Sequence, residues 1–537
     1  MITPANEEDP ISPSTAGRSA FTVGTGILLS RIAGLIRDRV FAHYFGNSDA
    51  ADAFRAAFRI PNFLQNLFGE GVLSASFIPV YAGLLAREKE KEAGEVAGAI
   101  AAILSLVVSV LVLLGLWAAP QLIAVIAPGF VGEKRELCIQ LVRIFFPGAG
   151  LLVFSAWCLG ILNSHRRFLL SYTAPVIWNA AIIATLLGFG NKQPQFPLAT
   201  LAAWGSVLGS LLQLGIQIPV VLRLVERLRL SLKFSLTDVR TVIRNFIPVF
   251  VSRGVVQISA YVDSLISSLL PTGAVAGLSY AQTLYTLPVS LFGMAVSAAE
   301  LPAMSGALGT PDEVASYLRA RLNSGLRRIA LFIVPSAMAF LALGDVVTAT
   351  IYQSGHFSRS DTVYVWGILA GSAVGLLAST LGRLYASAYY ALRDTRTPLR
   401  FAILRVVLTT LLGYLAAIPL PPLLGIDSRW GVAGLTASAG LAGWLEFLLL
   451  RKYMNARIGQ TGLPVSLTLQ LWSAAAAGAG VGWIIKWAVN PLHPFSVAVL
   501  VLGPYGLIYA AVLLAFGVPE AHDVIGRARK MMGSVLR

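Results

Sequence analysis

Charged residues interrupt the first apolar segment of the chain, SRIAGLIRDRVFAHYFG at residues 30–46. On a helix, Arg31 and Asp38 fall on nearly one face, at i and i+7. Arg37 lies beside Asp38, and Arg39 points away towards the far interface. A charged side chain at mid-bilayer costs about 2.5–3.5 kcal/mol on insertion scales, so it normally faces the protein interior or a water-filled cavity. The cluster therefore indicates a polar cavity, although snorkelling or helix-locking ion pairs could account for any single member.

More polar residues follow in later apolar segments. The second apolar segment of the chain also contains the helix breakers Pro61, Gly69 and Gly71, and the eighth contains Pro288 and Gly293. Irregular backbone at membrane depth is tolerated where it lines a cavity. Arginine binds phosphate through a bidentate fork, so the surplus of guanidinium groups predicts a phosphate-bearing substrate. The predicted substrate-binding residues are Arg31, Arg37, Asp38, Asp52, Arg55, Arg59, Asn62 and Arg253, and the predicted gating or ion-pair residues are Glu70, Asp263 and Glu300.

No enzyme motif competes with this interpretation. The sequence contains no G-x-S-x-G elbow, no H-E-x-x-H helix, no P-loop and no dinucleotide fingerprint. Its five histidines and two cysteines do not have a metal-ligand spacing. We therefore expect a transporter rather than an enzyme, with no metal or cofactor. Because a P-loop is missing, we expect coupling to the membrane potential or to a monovalent ion rather than to ATP.

The elements that must position these residues are membrane-spanning helices. Of the 537 residues, 56% are hydrophobic and only 12% are charged, against about 25% charged residues in soluble domains. Apolar runs of about 20 residues recur from end to end, which predicts an all-α polytopic membrane protein. The fourteen predicted spans are 20–45, 54–86, 95–119, 136–163, 168–189, 198–226, 241–270, 274–306, 322–343, 361–392, 397–418, 430–453, 465–489 and 495–516.

The net charge of +15 has an ordinary explanation in a membrane protein. Basic residues collect in cytoplasmic loops and contact anionic lipid headgroups, so we expect membrane lipids as partners and no nucleic acid. A basic cavity for an anionic substrate could contain the remaining excess of lysine and arginine residues. Most lysines and arginines lie in the termini and the even-numbered connections. Both termini are therefore predicted to be cytoplasmic.

Three landmarks recur at a nearly constant spacing. Ser30-Arg31 is echoed by Ser252-Arg253, Pro79 by Pro302, and Pro175 by Pro398. Two repeats of six spans would both enter the membrane from the cytoplasm, which predicts parallel six-helix lobes and a C-terminal helix pair. The predicted segments are a polar cytoplasmic tail at 1–19, an N-lobe at 20–235, a C-lobe at 236–457, the last two spans at 458–518 and a basic cytoplasmic tail at 519–537.

The stretch at residues 30–81 resembles the N-terminal signature of the MviN/MurJ family, the lipid II flippases of the multidrug/oligosaccharidyl-lipid/polysaccharide exporter superfamily. The matching motifs are Ser30-Arg31, Arg37-Asp38, Phe45-Gly46, Asp52-Ala53-Phe54, Pro61-Asn62, Glu70-Gly71 and Phe77-Ile78-Pro79. The likeness extends through ALRDTRTP at residues 391–398 and the fourteen-span plan.

The resemblance implies a V-shaped cavity between two lobes, whose arginines hold the pyrophosphate of lipid II, and a groove for the polyprenyl tail beside the last two helices. It also implies the bacterial cytoplasmic (inner) membrane, alternating access, and lipid II (undecaprenyl-pyrophosphate-linked disaccharide-pentapeptide) as the substrate, with cell-wall synthesis proteins as further partners. Two alternatives stay open: export of another lipid-linked oligosaccharide, and a non-transporting membrane scaffold for cell-wall enzymes.

The chain departs from the family pattern at two places. Family members often carry two arginines where this chain has Gln65 and Asn66, and many carry D-R-L-x-E where it has Gln282 and Thr283. An anion-binding arginine is therefore missing from each of two helices. The compensating residue is predicted to be Arg253, Arg59 or Arg55, with Asp263 and Glu300 as gating partners.

Overall fold

A computed structural model describes residues 13–68, 70–226, 228–232, 236–489, 493–523 and 526. Within these ranges, the side chains of residues 13–24, 60, 61, 70, 71 and 251–260 lie outside the description. The described residues form helices and connecting turns, and none of them lies in a β-strand. Long apolar segments favour this outcome, because a helix satisfies its own backbone hydrogen bonds where no water is available. The predicted all-α class is confirmed.

The first part of the chain contains nine helices within the described residues, three of which together cover the second predicted span. Their bounds are α1 Pro13–Phe45, α2 Asp49–Phe68, α3 Glu70–Ser76, α4 Ile78–Ala86, α5 Glu90–Trp117, α6 Ala119–Ile126, α7 Gly132–Ser164, α8 Phe168–Phe189 and α9 Gln195–Leu224.

The second part begins with a long helix and ends with the C-terminal pair. Its helices are α10 Thr237–Ser268, α11 Ala274–Pro288, α12 Ala295–Ser305, α13 Pro311–Ala342, α14 Gly344–Tyr352, α15 Arg359–Ala373, α16 Leu376–Ala391, α17 Arg396–Ala417, α18 Leu420–Leu423, α19 Gly431–Ile458, α20 Val465–Ala488 and α21 Pro494–Ala515. A π-helical stretch, Val289–Met294, joins α11 to α12, and a 3-10 turn, Ser428–Trp430, precedes α19.

Eleven helices of the described residues are long and apolar enough to cross a membrane, and the count is twelve if α15 and α16, which meet at a 42° bend, form one broken span. The protein is therefore a multi-pass membrane protein. The other two predicted spans, the first and the seventh, lie on α1 and α10, which carry the unusual charges. The count of fourteen stays a prediction, with which these helices are consistent.

The predicted breaks in the second and eighth spans differ in detail from the structure. The helix α2 continues through Pro61 and ends at Phe68, before a position that lies outside the described residues. In the eighth span, Pro288 ends α11, and Gly293 lies in the π-helical stretch. π-Helical turns are rare and occur frequently at functional sites.

A short helix follows the third span of each sequence repeat. The helix α6 comes directly after α5, and α14 comes directly after α13. The sequence pattern did not predict either one, because eight or nine residues cannot cross the bilayer. Their recurrence at the same place supports the interpretation of the chain as two repeats.

The chain divides into two compact units, and each is described by itself. The first contains the chain up to Phe45 together with Asp49–Leu265, and the second contains Gly46–Ser48 and the chain from Ile266 onwards. In the first unit, α10 packs on α2, where the ring centroids of Phe68 and Phe250 lie 5.2 Å apart. These two units do not coincide with the five predicted segments, because the first unit continues to Leu265 whereas the predicted N-lobe ends at residue 235. The five segments stay a prediction.

Candidate functional site

In the first unit, one carboxylate holds two arginines together. Arg37 donates to Asp38 Oδ1 from Nε at 3.2 Å and from Nη2 at 2.9 Å. Arg55, which α2 contributes, donates to the same oxygen from Nη1 and Nη2, both at 3.1 Å. We call these three residues the arginine trio. Charge-assisted hydrogen bonds of this kind are about twice as strong as neutral ones, so the trio is a fixed arrangement with a net charge of +1.

Aromatic rings support both guanidinium groups. Arg37 Cζ lies 5.2 Å from the centroid of the Trp178 ring, and Arg55 Cζ lies 4.5 Å from that of Phe41. The indole of Trp178 donates to Ser206 Oγ at 3.1 Å and stacks on Phe58 at 5.6 Å. Arginine over an aromatic face is a favourable arrangement. The rings therefore restrict where each guanidinium can move.

The three members of the trio differ in how far a ligand can reach them. The side chain of Asp38 is 5% exposed, that of Arg55 is 8% exposed and that of Arg37 is 18% exposed. On the same helix, Arg31 and Arg39 are exposed. A ligand that approaches the trio therefore reaches Arg37 first.

A second ion-pair cluster occupies the start of α2. The ammonium of Lys134 lies 2.7 Å from Asp52 Oδ2 and 2.9 Å from Asp49 Oδ1, and 4.4 Å from the centroid of the Phe130 ring. Asp52 is buried, and its predicted role in substrate binding stays a prediction. Sequence reasoning did not associate Lys134 with Asp52, because the two residues are 82 positions apart.

Further along α2, Arg59 lies next to α10. Its backbone carbonyl accepts a 2.8 Å hydrogen bond from the Tyr261 hydroxyl, and its guanidinium interacts electrostatically with Asp263. Arg59, Asn62 and Asp263 are half-buried. The hydrogen bond from Tyr261 therefore places Arg59 beside α10, the helix that also carries Asp263, within the first unit.

Two of the predicted site residues cannot be placed. The side chains of Glu70 and Arg253 lie outside the described residues. Their assignments, including compensation by Arg253, stay predictions.

In the second unit, Glu300 is buried between two arginines of α13. Its Oε2 lies 2.9 Å from Arg321 Nε, and its Oε1 lies 3.6 Å from Arg328 Nη1. The Glu300 side chain is 4% exposed, whereas those of Arg321 and Arg328 are 38% and 54% exposed. These partners were not predicted. They attach α12 to α13, and the gating role of Glu300 stays a prediction.

The small residues of α20 pack against α21. A Cβ atom at Gly478 would lie 2.8 Å from the carbonyl oxygen of Tyr505, so the two helices approach closely there. Ala474, Gly478 and Gly482 are all buried. This stripe packs two helices together, as small residues commonly do in membranes, and the groove for a lipid tail stays a prediction.

Among the described residues, no group of three or more His, Cys, Asp or Glu side chains could hold a metal ion. Asp38, Asp52 and Glu300 each face a basic side chain instead.

The architecture is shared with known transporters. A solved structure described as "Lipid II flippase MurJ, inward closed conformation" matches with a TM-score of 0.75 and 25% identity, covering 94% of this chain and 99% of that one. An inward-facing multidrug resistance MATE family transporter of the MOP superfamily matches with a TM-score of 0.64 at 18% identity, over 80% of this chain and 95% of that one. The latter similarity concerns the fold alone. The protein is thus a polytopic helical membrane protein with the fold of MOP-superfamily transporters.

Sequence similarity narrows this class to one family. The family model described as "Lipid II flippase MurJ" matches residues 41–503. The Lipid II flippase MurJ of Burkholderia cenocepacia is 30% identical over 521 residues, covering 94% of this chain and 98% of that protein. A probable lipid II flippase MurJ of Rickettsia prowazekii is 31% identical over 443 residues, covering 82% and 84% respectively. This chain belongs to the MurJ family of lipid II flippases.

Proposed function

We propose that this protein is a lipid II flippase, which moves lipid II from the inner to the outer leaflet of the bacterial cytoplasmic membrane for cell-wall synthesis. Family membership supports the substrate, and the multi-pass fold supports translocation across the membrane. Alternating access accounts for the movement, because the substrate site would open to one side of the membrane at a time. Membrane lipids and cell-wall synthesis proteins are its proposed partners.

The observation that carries this proposal is the arginine trio. A pyrophosphate needs a cationic site whose hydrogen-bond donors are already oriented, and guanidinium groups bind phosphate oxygens in a planar fork. Arg37 donates to Asp38 through Nε and Nη2, which leaves Nη1 outside that pair. Stacking on Trp178 restricts the plane of this guanidinium. Arg37 is therefore the group that we assign to the pyrophosphate.

The proposed energy source is the membrane potential or a coupled monovalent ion, without a cofactor. Moving one elementary charge across 100 mV is worth about 2.3 kcal/mol. The pyrophosphate group of lipid II is anionic, so the potential could act on the loaded site or on its charged side chains. With both termini in the cytoplasm, the basic loops would face the anionic inner leaflet.

Depletion of the protein tests this function directly. In cells without a redundant flippase, lipid II should become inaccessible to a probe confined to the outer leaflet. Unchanged accessibility after depletion would contradict the proposal.

An Arg37→Ala variant separates a transporter from a scaffold. We expect Arg37→Ala to reach the membrane at normal levels and to reproduce the depletion result, because the pyrophosphate loses its ligand. Arg39→Ala, which changes an exposed arginine on the same helix, serves as the matched control and should restore accessibility. A scaffold for cell-wall enzymes would tolerate both changes equally.

A further inference from the structure

The Arg55 side chain is enclosed by Asp38 and Phe41 rather than open to a substrate. Its two terminal nitrogens both donate to Asp38 Oδ1 at 3.1 Å, and its guanidinium carbon lies 4.5 Å from the Phe41 ring centroid. Phe41 is itself buried against Phe45 and Phe54, at centroid distances of 4.5 and 4.8 Å. The Arg55 side chain is 8% exposed, less than half the exposed fraction of Arg37. The donors of Arg55 are thus turned towards Asp38.

The shared oxygen also determines the charge that Arg37 presents. Without Arg55, Arg37 and Asp38 would form a neutral pair. An anion that binds Arg37 would then be repelled by the neighbouring carboxylate of Asp38. With Arg55 in place, two guanidinium groups face one carboxylate, and the trio keeps a net charge of +1. A unit charge close to a bound anion has a large effect where water is partly excluded.

We propose that Arg55 is a positioning residue that does not touch the substrate, and that it keeps Arg37 available to the pyrophosphate by offsetting the charge of Asp38. The inference rests on the proposed function, since it concerns the same site. It differs from the sequence-based assignment of Arg55 to substrate binding, because Arg55 acts here through Asp38.

A charge-balance experiment distinguishes the two roles. Lipid II binding would be measured with the purified full-length protein in nanodiscs for the wild type, Arg55→Gln, Arg55→Lys and the double variant Asp38→Asn/Arg55→Gln. We expect Arg55→Gln to weaken binding roughly tenfold to a hundredfold. Arg55→Lys should stay within a few-fold of the wild type, because it keeps the charge.

The double variant carries the test. Removing the Asp38 charge as well leaves Arg37 with its positive charge uncompensated, so binding should return to within a few-fold of the wild type. If Arg55 contacts the substrate directly, the double variant should bind as weakly as Arg55→Gln or more weakly, and this result would overturn the proposal. Arg39→Gln, which changes an exposed arginine on the helix of Arg37 and Asp38, is the matched control and should bind like the wild type.

The same experiment distinguishes a folding defect, or a wrong substrate, from a wrong role of Arg55. The melting temperature of each variant shows whether it is folded. If Arg55→Gln does not fold, the double variant, which also removes the buried charge of Asp38, still decides between the two roles. Wild-type protein that fails to bind lipid II would contradict the proposed function, whereas a wild type that binds beside a double variant that does not would contradict only the role of Arg55.

Discussion

At the residue scale, Asp394 shows how one carboxylate organises a turn between two membrane helices. It accepts hydrogen bonds from the backbone N–H groups of Arg396 and Thr397, at 3.1 and 3.0 Å, and from the Thr397 hydroxyl at 2.7 Å. The two N–H groups donate to Asp394 Oδ1 and the hydroxyl donates to Oδ2, and Arg457 Nη2 lies 2.7 Å from Oδ2 as well. The backbone and hydroxyl donors of Thr397, together with Arg457, lower the pKa of Asp394 to about 2.

The lowered pKa predicts how Asp394 contributes to stability as the pH changes. Because the folded-state pKa lies below the unfolded value of about 3.9, the contribution is complete above that value and is lost as the pH falls towards 2. Replacing Asp394 with Asn should lower the free energy of unfolding by about 1 kcal/mol at neutral pH, because the neutral amide loses the negative charge that Arg457 and the N-terminus of α17 favour.

Thermal melts of the detergent-solubilised protein at pH 7 and at the lowest tolerated pH would check this prediction. The difference in melting temperature between the wild type and Asp394→Asn should shrink as the pH falls. The exposed Asp312→Asn variant is the control and should show little difference at either pH. A difference in melting temperature that stays constant down to pH 3 or below would contradict the stabilising role assigned to the Asp394 charge.

The sequence identified the aspartate and the two arginines of the trio but not the rings that support them. Arg37, Asp38 and Arg55 were predicted because charge is costly in an apolar segment. Trp178 and Phe41 were not predicted, since an aromatic residue in a membrane helix is unremarkable by type. Lys134 was also missed, because only the packing of α7 against α2 brings it to Asp52. Long-range pairing cannot be deduced from residue type alone.

At the element scale, the buried carboxylate of Glu300 fastens α12 to α13. The two arginines that it faces are partly exposed, so water screens part of the interaction. Replacing Glu300 with Gln leaves Arg321 and Arg328 facing each other across an uncharged group. We expect the free energy of unfolding to fall by about 1–2 kcal/mol, measured as a lower melting temperature of the purified protein.

Neutralising both Glu300 and Arg321 provides a second check on this pair. Glu300→Gln combined with Arg321→Gln should cost less than the sum of the two single changes, because each removes the same interaction. Asp312→Asn, an exposed acid on α13, is the control and should change little. Additive losses in the double variant would show that Glu300 and Arg321 are not coupled.

Helix breaks were only partly predictable at this scale. Proline predicted a break at Pro61, yet α2 continues through that residue. Pro288 was also predicted as a breaker, and α11 ends there, but the π-helical stretch that follows has no signature in hydrophobic periodicity. Long apolar periodicity therefore located the helices well, whereas the type of each irregularity depends on tertiary packing.

At the scale of the whole molecule, the distribution of basic residues predicts the orientation in the membrane. With both termini in the cytoplasm, a fluorescent protein fused to the C-terminus should fluoresce, and alkaline phosphatase fused there should be inactive. Alkaline phosphatase inserted near Lys192, in a predicted outer connection, should be active. The opposite pattern at both sites would show that the predicted orientation in the membrane is inverted. A mixed pattern would show that the predicted number of spans is wrong.

A repeat could be predicted from the sequence because a few landmarks recur in register, but the extent of each compact unit could not. The boundary at 235/236 follows from counting spans, whereas the first unit continues to Leu265. Ring contacts between α2 and α10 account for this difference, such as the 5.3 Å separation of Phe63 and Tyr261. Such contacts involve residues about 200 positions apart, which a local pattern does not relate.

The aromatic contacts between α10 and α2 join the two predicted repeats. A polypeptide that stops at the repeat boundary would leave Phe63 and Phe68 without the aromatic cover that Tyr261, Phe246 and Phe250 provide. A chain containing one repeat could obtain that cover only from a second chain. Joining two repeats in a single polypeptide therefore makes an otherwise intermolecular contact intramolecular, so that it no longer depends on protein concentration.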